Sequence, residues 1–121
     1  MLINSIFCII IYFLAVISAV AKVSKVNTSH KNMTLNGRLL IVEKKSLNAQ
    51  MFLILHGTLG HYEMEIIHGL QEALEERSFN SLAINLSYGQ NSRPGKMFDC
   101  NEPHRHKHED AIGEIEAWLD W

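Results

Sequence analysis

A run of apolar residues of strand length, Met51–Leu55, stops abruptly at His56 and Gly57. A short run without polar alternation is typical of a strand buried on both faces, and a glycine directly after it permits a tight turn. Residues with helical spacing follow. The pattern therefore predicts a strand, a turn and a helix, with the turn at the edge where parallel α/β sheets bind their ligands.

The helix is predicted between Glu63 and Arg77, because apolar residues recur there at intervals of three and four. They are Ile66, Ile67, Leu70, Ala73 and Leu74. A second apolar strand, 81–86, comes next, and a right-handed parallel crossover is the simplest connection between the two strands. Residues 87–108 contain both prolines and predict a loop, and 109–121 predict a final amphipathic helix.

Weaker patterns precede these elements. Residues 22–36 are rich in Asn, Ser, Thr and Lys, and we interpret them as an extended polar lead-in. Residues 39–42 predict a first strand, which the chain enters through Asn36 and Gly37, a pair typical of tight turns.

The chain begins with sequence of a different kind. Residues 6–21 are almost wholly apolar and end in Ala19-Val20-Ala21, a pattern cut by signal peptidase. Residues 1–21 therefore predict a signal peptide and an exported protein, periplasmic or secreted. The alternative is an uncleaved membrane anchor, which would associate the chain with a membrane. Cleavage would remove Cys8 and leave Cys100, which is more often a buried apolar residue than a reactive thiol.

Composition narrows the class of protein. A chain of 121 residues with 47% hydrophobic and 20% charged residues has room for one domain with a modest core. The formal net charge of −2 argues against a nucleic-acid partner, for which a concentrated basic face is expected. No cofactor is predicted.

Several segments taken in order resemble the N-terminal part of the α/β-hydrolase family. They are 52–58 (FLILHGT), the helix after it, the strand 82–86 and the loop 89–92. The resemblance implies an α/β fold: a partial α/β-hydrolase-like parallel sheet with flanking helices over 37–121, after the lead-in and the signal peptide. Two residues depart from the family pattern, namely Asn91 at the second glycine of the loop and Asn85 at a position that is often acidic.

The resemblance also implies a function, the hydrolysis of small-molecule esters or amides by a serine nucleophile. The backbone N–H of Thr58 matches an oxyanion-hole donor and Leu59 is a weaker candidate, while His56 and Gly57 would shape the turn. However, no glycine in the chain is followed two residues later by serine, so the Gly-x-Ser-x-Gly nucleophile turn is missing. The resemblance therefore implies a truncated or split hydrolase, inactive as given and without catalytic residues of its own.

The same resemblance makes an expectation about association. In the family, the strand matching Met51–Leu55 pairs with the strand that carries the nucleophile. Without that strand its edge would be uncovered, and the edge has no Lys or Pro to discourage pairing with another chain. We therefore expect the truncated chain to self-associate.

Two other interpretations remain open. His104, His106 and His108 alternate along the chain, so an extended backbone would project all three to one side, as in a metal site. Arg105 and Lys107 between them would repel a bound cation. The second interpretation is a non-catalytic remnant that binds a partner or has no activity on its own. A triad built on Ser92 and a loop histidine finds no support in the spacing.

Overall fold

The computed structural model describes residues 21–42, 50–103 and 105–121. Its elements are, in chain order, β1 (Lys22–His30), β2 (Met33–Ile41), β3 (Met51–Leu55), α1 (Glu65–Glu76), β4 (Asn80–Ile84) and α2 (Asp110–Leu119). The predicted signal peptide, apart from Ala21, lies outside the described residues. Within those residues, no helix is both long and apolar enough to cross a membrane.

The four strands form one mixed sheet in the order β1-β2-β4-β3. β1 and β2 are antiparallel, β2 and β4 are antiparallel, and only β3 and β4 are parallel. The expectation of a parallel sheet is therefore wrong outside the β3–β4 pair. For β1 and β2 the physical reason is the short connection between them, since a two-residue turn joins antiparallel strands whereas a parallel pair needs a crossover such as α1.

Residues 22–36 are extended, as expected, but they belong to the sheet. β1 and β2 form a hairpin whose turn is Lys31 and Asn32, both with positive φ (46° and 63°). Positive φ at both central residues is typical of hairpin turns that match the twist of the strands. The tight turn predicted at Asn36 and Gly37 is wrong, because Gly37 lies inside β2 and pairs with both Val26 and Ile84.

The sheet has an apolar core on each face. One core packs α2 against the sheet through Trp118, which is 3% exposed. Its other buried members are Leu35, Leu39, Leu82 and Ile84. The core on the opposite face lies under α1 and the loop before it, and consists of Ile54, Tyr62, Ile67 and Ala83. β3 and β4 are thus held between two helical layers, with their carboxyl ends at one edge of the sheet.

Each helix buries one polar residue that the sequence pattern does not place on the apolar face. Gln71 of α1 is fully buried, and its Nε2 donates to Ser81 Oγ at 3.1 Å and to the carbonyl of Arg38 at 3.2 Å. Glu114 of α2 is 3% exposed. Both helices are therefore rotated away from the predicted orientation, and apolar side chains remain exposed: Ile66, Leu70, Ile112 and Leu119.

We predict opposite effects for the same substitution at two glycines. A Cβ on Gly37 would lie 3.0 Å from Trp118 Cη2 and 3.1 Å from the Ala83 carbonyl oxygen. Gly37→Ala should therefore lower the free energy of unfolding by about 1–3 kcal/mol through overpacking. Gly69 lies in α1 with no described heavy atom within 4 Å of such a Cβ. Gly69→Ala should therefore raise the free energy of unfolding by about 0.5–1 kcal/mol.

Equilibrium unfolding in urea measures both variants against the unmodified chain. Equal shifts of the same sign at the two positions would contradict the packing of Gly37 under Trp118.

Candidate functional site

A cavity of about 300 Å³ lies at the carboxyl ends of β3 and β4. It is bounded by the turn after β3, the long loop after β4 and the first turns of α2. Its lining residues are His56, Gly57, Thr58, Leu86, Tyr88, His106, Lys107, His108, Asp110, Ala111 and Glu114. The cavity therefore occupies the position at which sequence reasoning expects a ligand.

The turn after β3 leaves backbone amides unpaired beside this cavity. Gly60 N–H donates to the carbonyl of Gly57 at 3.0 Å, and Leu59 has a positive φ of 61°. Among the described residues, neither the amide of Thr58 nor that of Leu59 has an acceptor. A Cβ on Gly60 would lie 2.8 Å from Met64 Sδ and 3.1 Å from the Gly57 carbonyl oxygen, so a side chain at this position would crowd the turn. Of Thr58 and Leu59, it is Thr58 that lines the cavity.

His56 joins the end of β3 to the segment after β4. Its ring is buried, with Nδ1 2.8 Å from the Gly57 carbonyl oxygen and Nε2 accepting from Leu86 N–H at 3.1 Å. These partners require the neutral tautomer with its proton on Nδ1. Burial is the main cause that lowers the pKa of His56, and the positive charges of Arg93 and His61 lower it further, against the hydrogen bond to Gly57. Both ring nitrogens are occupied within the protein.

The guanidinium of Arg93 hydrogen-bonds both the turn after β3 and the loop after β4. Arg93 is 3% exposed. Its Nη2 donates to the carbonyls of Gly60 at 2.6 Å and Lys96 at 3.2 Å, and its Nη1 donates to the Leu86 carbonyl at 2.9 Å and Asn85 Oδ1 at 3.0 Å.

The same guanidinium lies 4.5 Å from the centre of the Tyr88 ring, close enough for a cation–π interaction. Burial lowers the pKa of Arg93, while Tyr88 and Glu114 oppose this shift. Asn85 completes the arrangement, because its Nδ2 donates to the carbonyls of Arg93 at 2.9 Å and Pro94 at 3.2 Å. The guanidinium and the amide therefore fix the loop after β4 as well as the turn after β3.

A buried serine–carboxylate pair attaches α2 to the cavity. Glu114 Oε2 accepts from the backbone N–H of Ser87 at 2.8 Å, and Glu114 Oε1 accepts from the Ser87 hydroxyl. Ser87 Oγ in turn accepts from Gly89 N–H at 3.0 Å. Ser92 lies away from the cavity, and its hydroxyl accepts from Asn36 Nδ2 at 3.2 Å.

The loop histidines reach the cavity without forming a metal centre within the described residues. His106 lies against Tyr88, with ring centres 4.6 Å apart, and both His106 and His108 line the cavity. His104 lies outside the described residues. No group of three or more His, Cys, Asp or Glu suited to a metal occurs in 21–42, 50–103 and 105–121. The three-histidine site remains a prediction, since one of its members is not described.

Cys100 is exposed and free, so the expectation that it is a buried apolar residue is wrong. It lies in an irregular part of the loop, two residues after the buried Phe98.

Sequence reasoning missed the residues that shape the cavity from the loop and from α2: Tyr88, Arg93 and Glu114. A loop with two prolines gives no reason to bury an arginine, and Glu114 has the spacing of a solvent-facing residue. In the sequence, Asn85 stands out only as a departure from the family pattern. A neutral amide there fits the buried guanidinium of Arg93, since it accepts from Arg93 and donates back to its carbonyl.

We predict that stability falls on acidification because of His56. Its pKa is lower in the folded chain than the ordinary value of 6.5, so the unfolded chain binds more protons below that pH. The contribution is fully present above 6.5 and is lost as the pH falls towards the folded pKa. His56→Gln, which has no proton to take up, should reduce this pH dependence, measured as the free energy of unfolding at a series of pH values.

The matched control is His108→Gln, an exposed histidine of the same cavity. It should keep the pH dependence of the unmodified chain. Identical slopes for His56→Gln and the unmodified chain would show that the His56 bridge is not a source of the acid sensitivity.

Comparison with known proteins gives a partial likeness to a solved structure. No family model matches the chain, and no curated protein does. Among solved structures, the chain is similar to a PEG-bound complex of a cold-adapted esterase from an Arctic intertidal metagenomic library, with 20% sequence identity and a TM-score of 0.46. The similarity covers 61% of this chain and 30% of the esterase chain, so this chain spans under a third of that structure's length.

Proposed function

We propose that this chain is the N-terminal part of an exported serine hydrolase of the α/β-hydrolase type, which cleaves esters or amides, and that it is inactive as given. The observation that carries the proposal is the cavity at the ends of β3 and β4. Gly57 and Thr58 line it, and the amides of Thr58 and Leu59 have no acceptor among the described residues.

Such a pair of amides suits the chemistry of acyl transfer. Attack on an ester or amide carbonyl places negative charge on its oxygen, and fixed N–H donors stabilise that charge without having to reorganise. We assign the first donor to Thr58 and the second, weaker position to Leu59. His56 and Gly57 hold the turn in shape, because the bonds of His56 connect Gly57 to Leu86.

The proposal of inactivity rests on the missing nucleophile. The sequence contains no Gly-x-Ser-x-Gly turn. Ser87, whose partner Glu114 lines the cavity, donates its hydroxyl proton to Glu114 and accepts from Gly89 N–H, so this proton is engaged in structure. Nucleophilic serines are instead activated by a histidine base, whereas the hydroxyl of Ser87 donates its proton to a carboxylate.

Export is the further element of the proposal. The apolar run and the Ala19-Val20-Ala21 pattern support it, and β1 begins at Lys22, directly after the predicted cleavage point. Cleavage there would leave the sheet intact. Membrane anchoring through 1–21 is the alternative, since the same run is long enough to reach into a bilayer.

We predict that the purified chain does not turn over short acyl esters with saturation kinetics. An oxyanion hole without a nucleophile and a general base gives only a small part of the rate of a complete serine hydrolase. The measurement is initial rate against substrate concentration, with a complete esterase assayed in parallel as a positive control.

Saturable turnover that a serine-directed inhibitor abolishes would contradict the proposal. In that event Ser87→Ala and Ser92→Ala form the informative pair. Loss of turnover in only one of the two variants would identify that serine as a nucleophile that no sequence motif predicts.

A further inference from the structure

Three tripeptides of the chain fit the acceptor pattern for N-linked glycosylation, Asn-x-Ser or Asn-x-Thr. They begin at Asn27, Asn32 and Asn85. The pattern is short, so the sequence alone does not separate the three asparagines. The structure separates them, because it places the first in a strand, the second in a turn and the third in the interior.

The side chain of Asn85 is committed to the fold. Asn85 is 2% exposed, and its Nδ2 donates to the carbonyls of Arg93 at 2.9 Å and Pro94 at 3.2 Å. The hydroxyl that the acceptor pattern requires belongs to Ser87, which is also buried and donates to Glu114. A sugar on Nδ2 would replace a donated hydrogen and would have to enter the interior. The folded chain therefore has no room for a glycan on Asn85.

Asn32 has the opposite surroundings. Together with Lys31 it forms the two-residue turn between β1 and β2, and both residues are exposed. Its φ of 63° lies in the left-handed region, which asparagine tolerates better than most residues. A glycan is a bulky, solvated group, and an exposed turn accepts it without displacing a core residue.

Asn27 is exposed as well, but it lies inside β1, where it is in register with Asn36 of β2. Glycosyl transfer needs a bent acceptor segment, in which the asparagine side chain reaches the groups two residues further on. The hydrogen bonds of the hairpin hold β1 extended. At Asn32 the backbone already turns, so Asn32 is the better acceptor of the two.

We infer that Asn32 accepts an N-linked oligosaccharide when the chain is exported through a secretory route that carries out this transfer, and that Asn85 does not. The inference rests on the export part of the proposed function and needs no catalytic role for the cavity. In the transfer, the amide nitrogen of Asn32 forms a bond to the anomeric carbon of a lipid-diphosphate-linked oligosaccharide. The bond from that carbon to the diphosphate oxygen breaks, the lipid diphosphate leaves with the electron pair, and the amide nitrogen loses one proton.

Expression of the full chain in cultured mammalian cells tests the site. Chain recovered from the medium is treated with peptide N-glycosidase in heavy-oxygen water, which converts each glycosylated asparagine to a labelled aspartate and distinguishes it from spontaneous deamidation. Trypsin cleaves after Lys31, so Asn27 and Asn32 fall in separate peptides. Fragment ions then place the label within each peptide.

We expect label at Asn32, severalfold less label at Asn27, and none at Asn85. Secreted chain without label at Asn32 would overturn the inference, and so would more label at Asn27 than at Asn32. Label at Asn85 in the secreted chain would show that the interior described above does not exclude a glycan, which contradicts the inference too.

Two substitutions at Thr34 provide a matched pair, since Thr34 supplies the hydroxyl of the acceptor pattern that begins at Asn32. Thr34→Val keeps a branched side chain in β2 and removes the hydroxyl, whereas Thr34→Ser keeps the hydroxyl. The label at Asn32 should be lost in Thr34→Val and retained in Thr34→Ser. Equal label in the two variants would contradict the assignment of Asn32 as the acceptor.

A failure of export gives a different result from a failure of the acceptor site. Chain that does not reach the medium would contradict secretion, which belongs to the proposed function. A second version of the chain, in which a signal peptide of the host cell precedes Lys22, then decides the inference by the same labelling. Label at Asn32 of this version supports the inference, and secreted chain without it overturns the inference.

Discussion

The path of the loops around the cavity depends on one interaction, the hydrogen bonding of the buried guanidinium of Arg93. A buried charge is costly unless hydrogen bonds replace its water, and here four acceptors from the turn after β3 and from the loop after β4 do so. The constraint acts in both directions. The guanidinium needs these oxygens, and they in turn can reach it only if both loops take their observed paths. The turn with Thr58 and Leu59 is held to that path through the carbonyl of Gly60.

His56 and Glu114 extend this constraint to the rest of the chain. His56 ties the end of β3 to Leu86, whose carbonyl accepts from Arg93. Glu114 connects α2 to Ser87, which directly follows Leu86 in the chain. Removing one member of a buried hydrogen-bonded set leaves its partners without compensation, which costs about 1–3 kcal/mol for each such group. The turn that carries the amides we assign to an oxyanion hole is therefore held by the polar contacts of Arg93 and His56, and the apolar cores position the strands next to it.

The sequence predicted the parts of this fold that depend on local pattern. Met51–Leu55, α1, β4 and α2 all lie where apolar runs and helical spacing place them. The errors arise where tertiary contacts override that pattern. β1 is an edge strand with one solvated face, so its polar residues gave no strand signal, and Gly37 is needed for the space under Trp118 rather than for a turn. Gln71, Arg93 and Glu114 are buried because specific partners from distant segments satisfy them, and no local spacing reveals such partners.

The central claim is that the chain supplies one half of a serine hydrolase site, so the most direct measurement is the sequence of the transcript beyond the codon for Trp121. Our account predicts that the reading frame continues into an apolar strand that ends in Gly-x-Ser-x-Gly, the turn that would present the nucleophile opposite Thr58. A stop codon directly after Trp121, or a continued frame without this turn, would contradict the account.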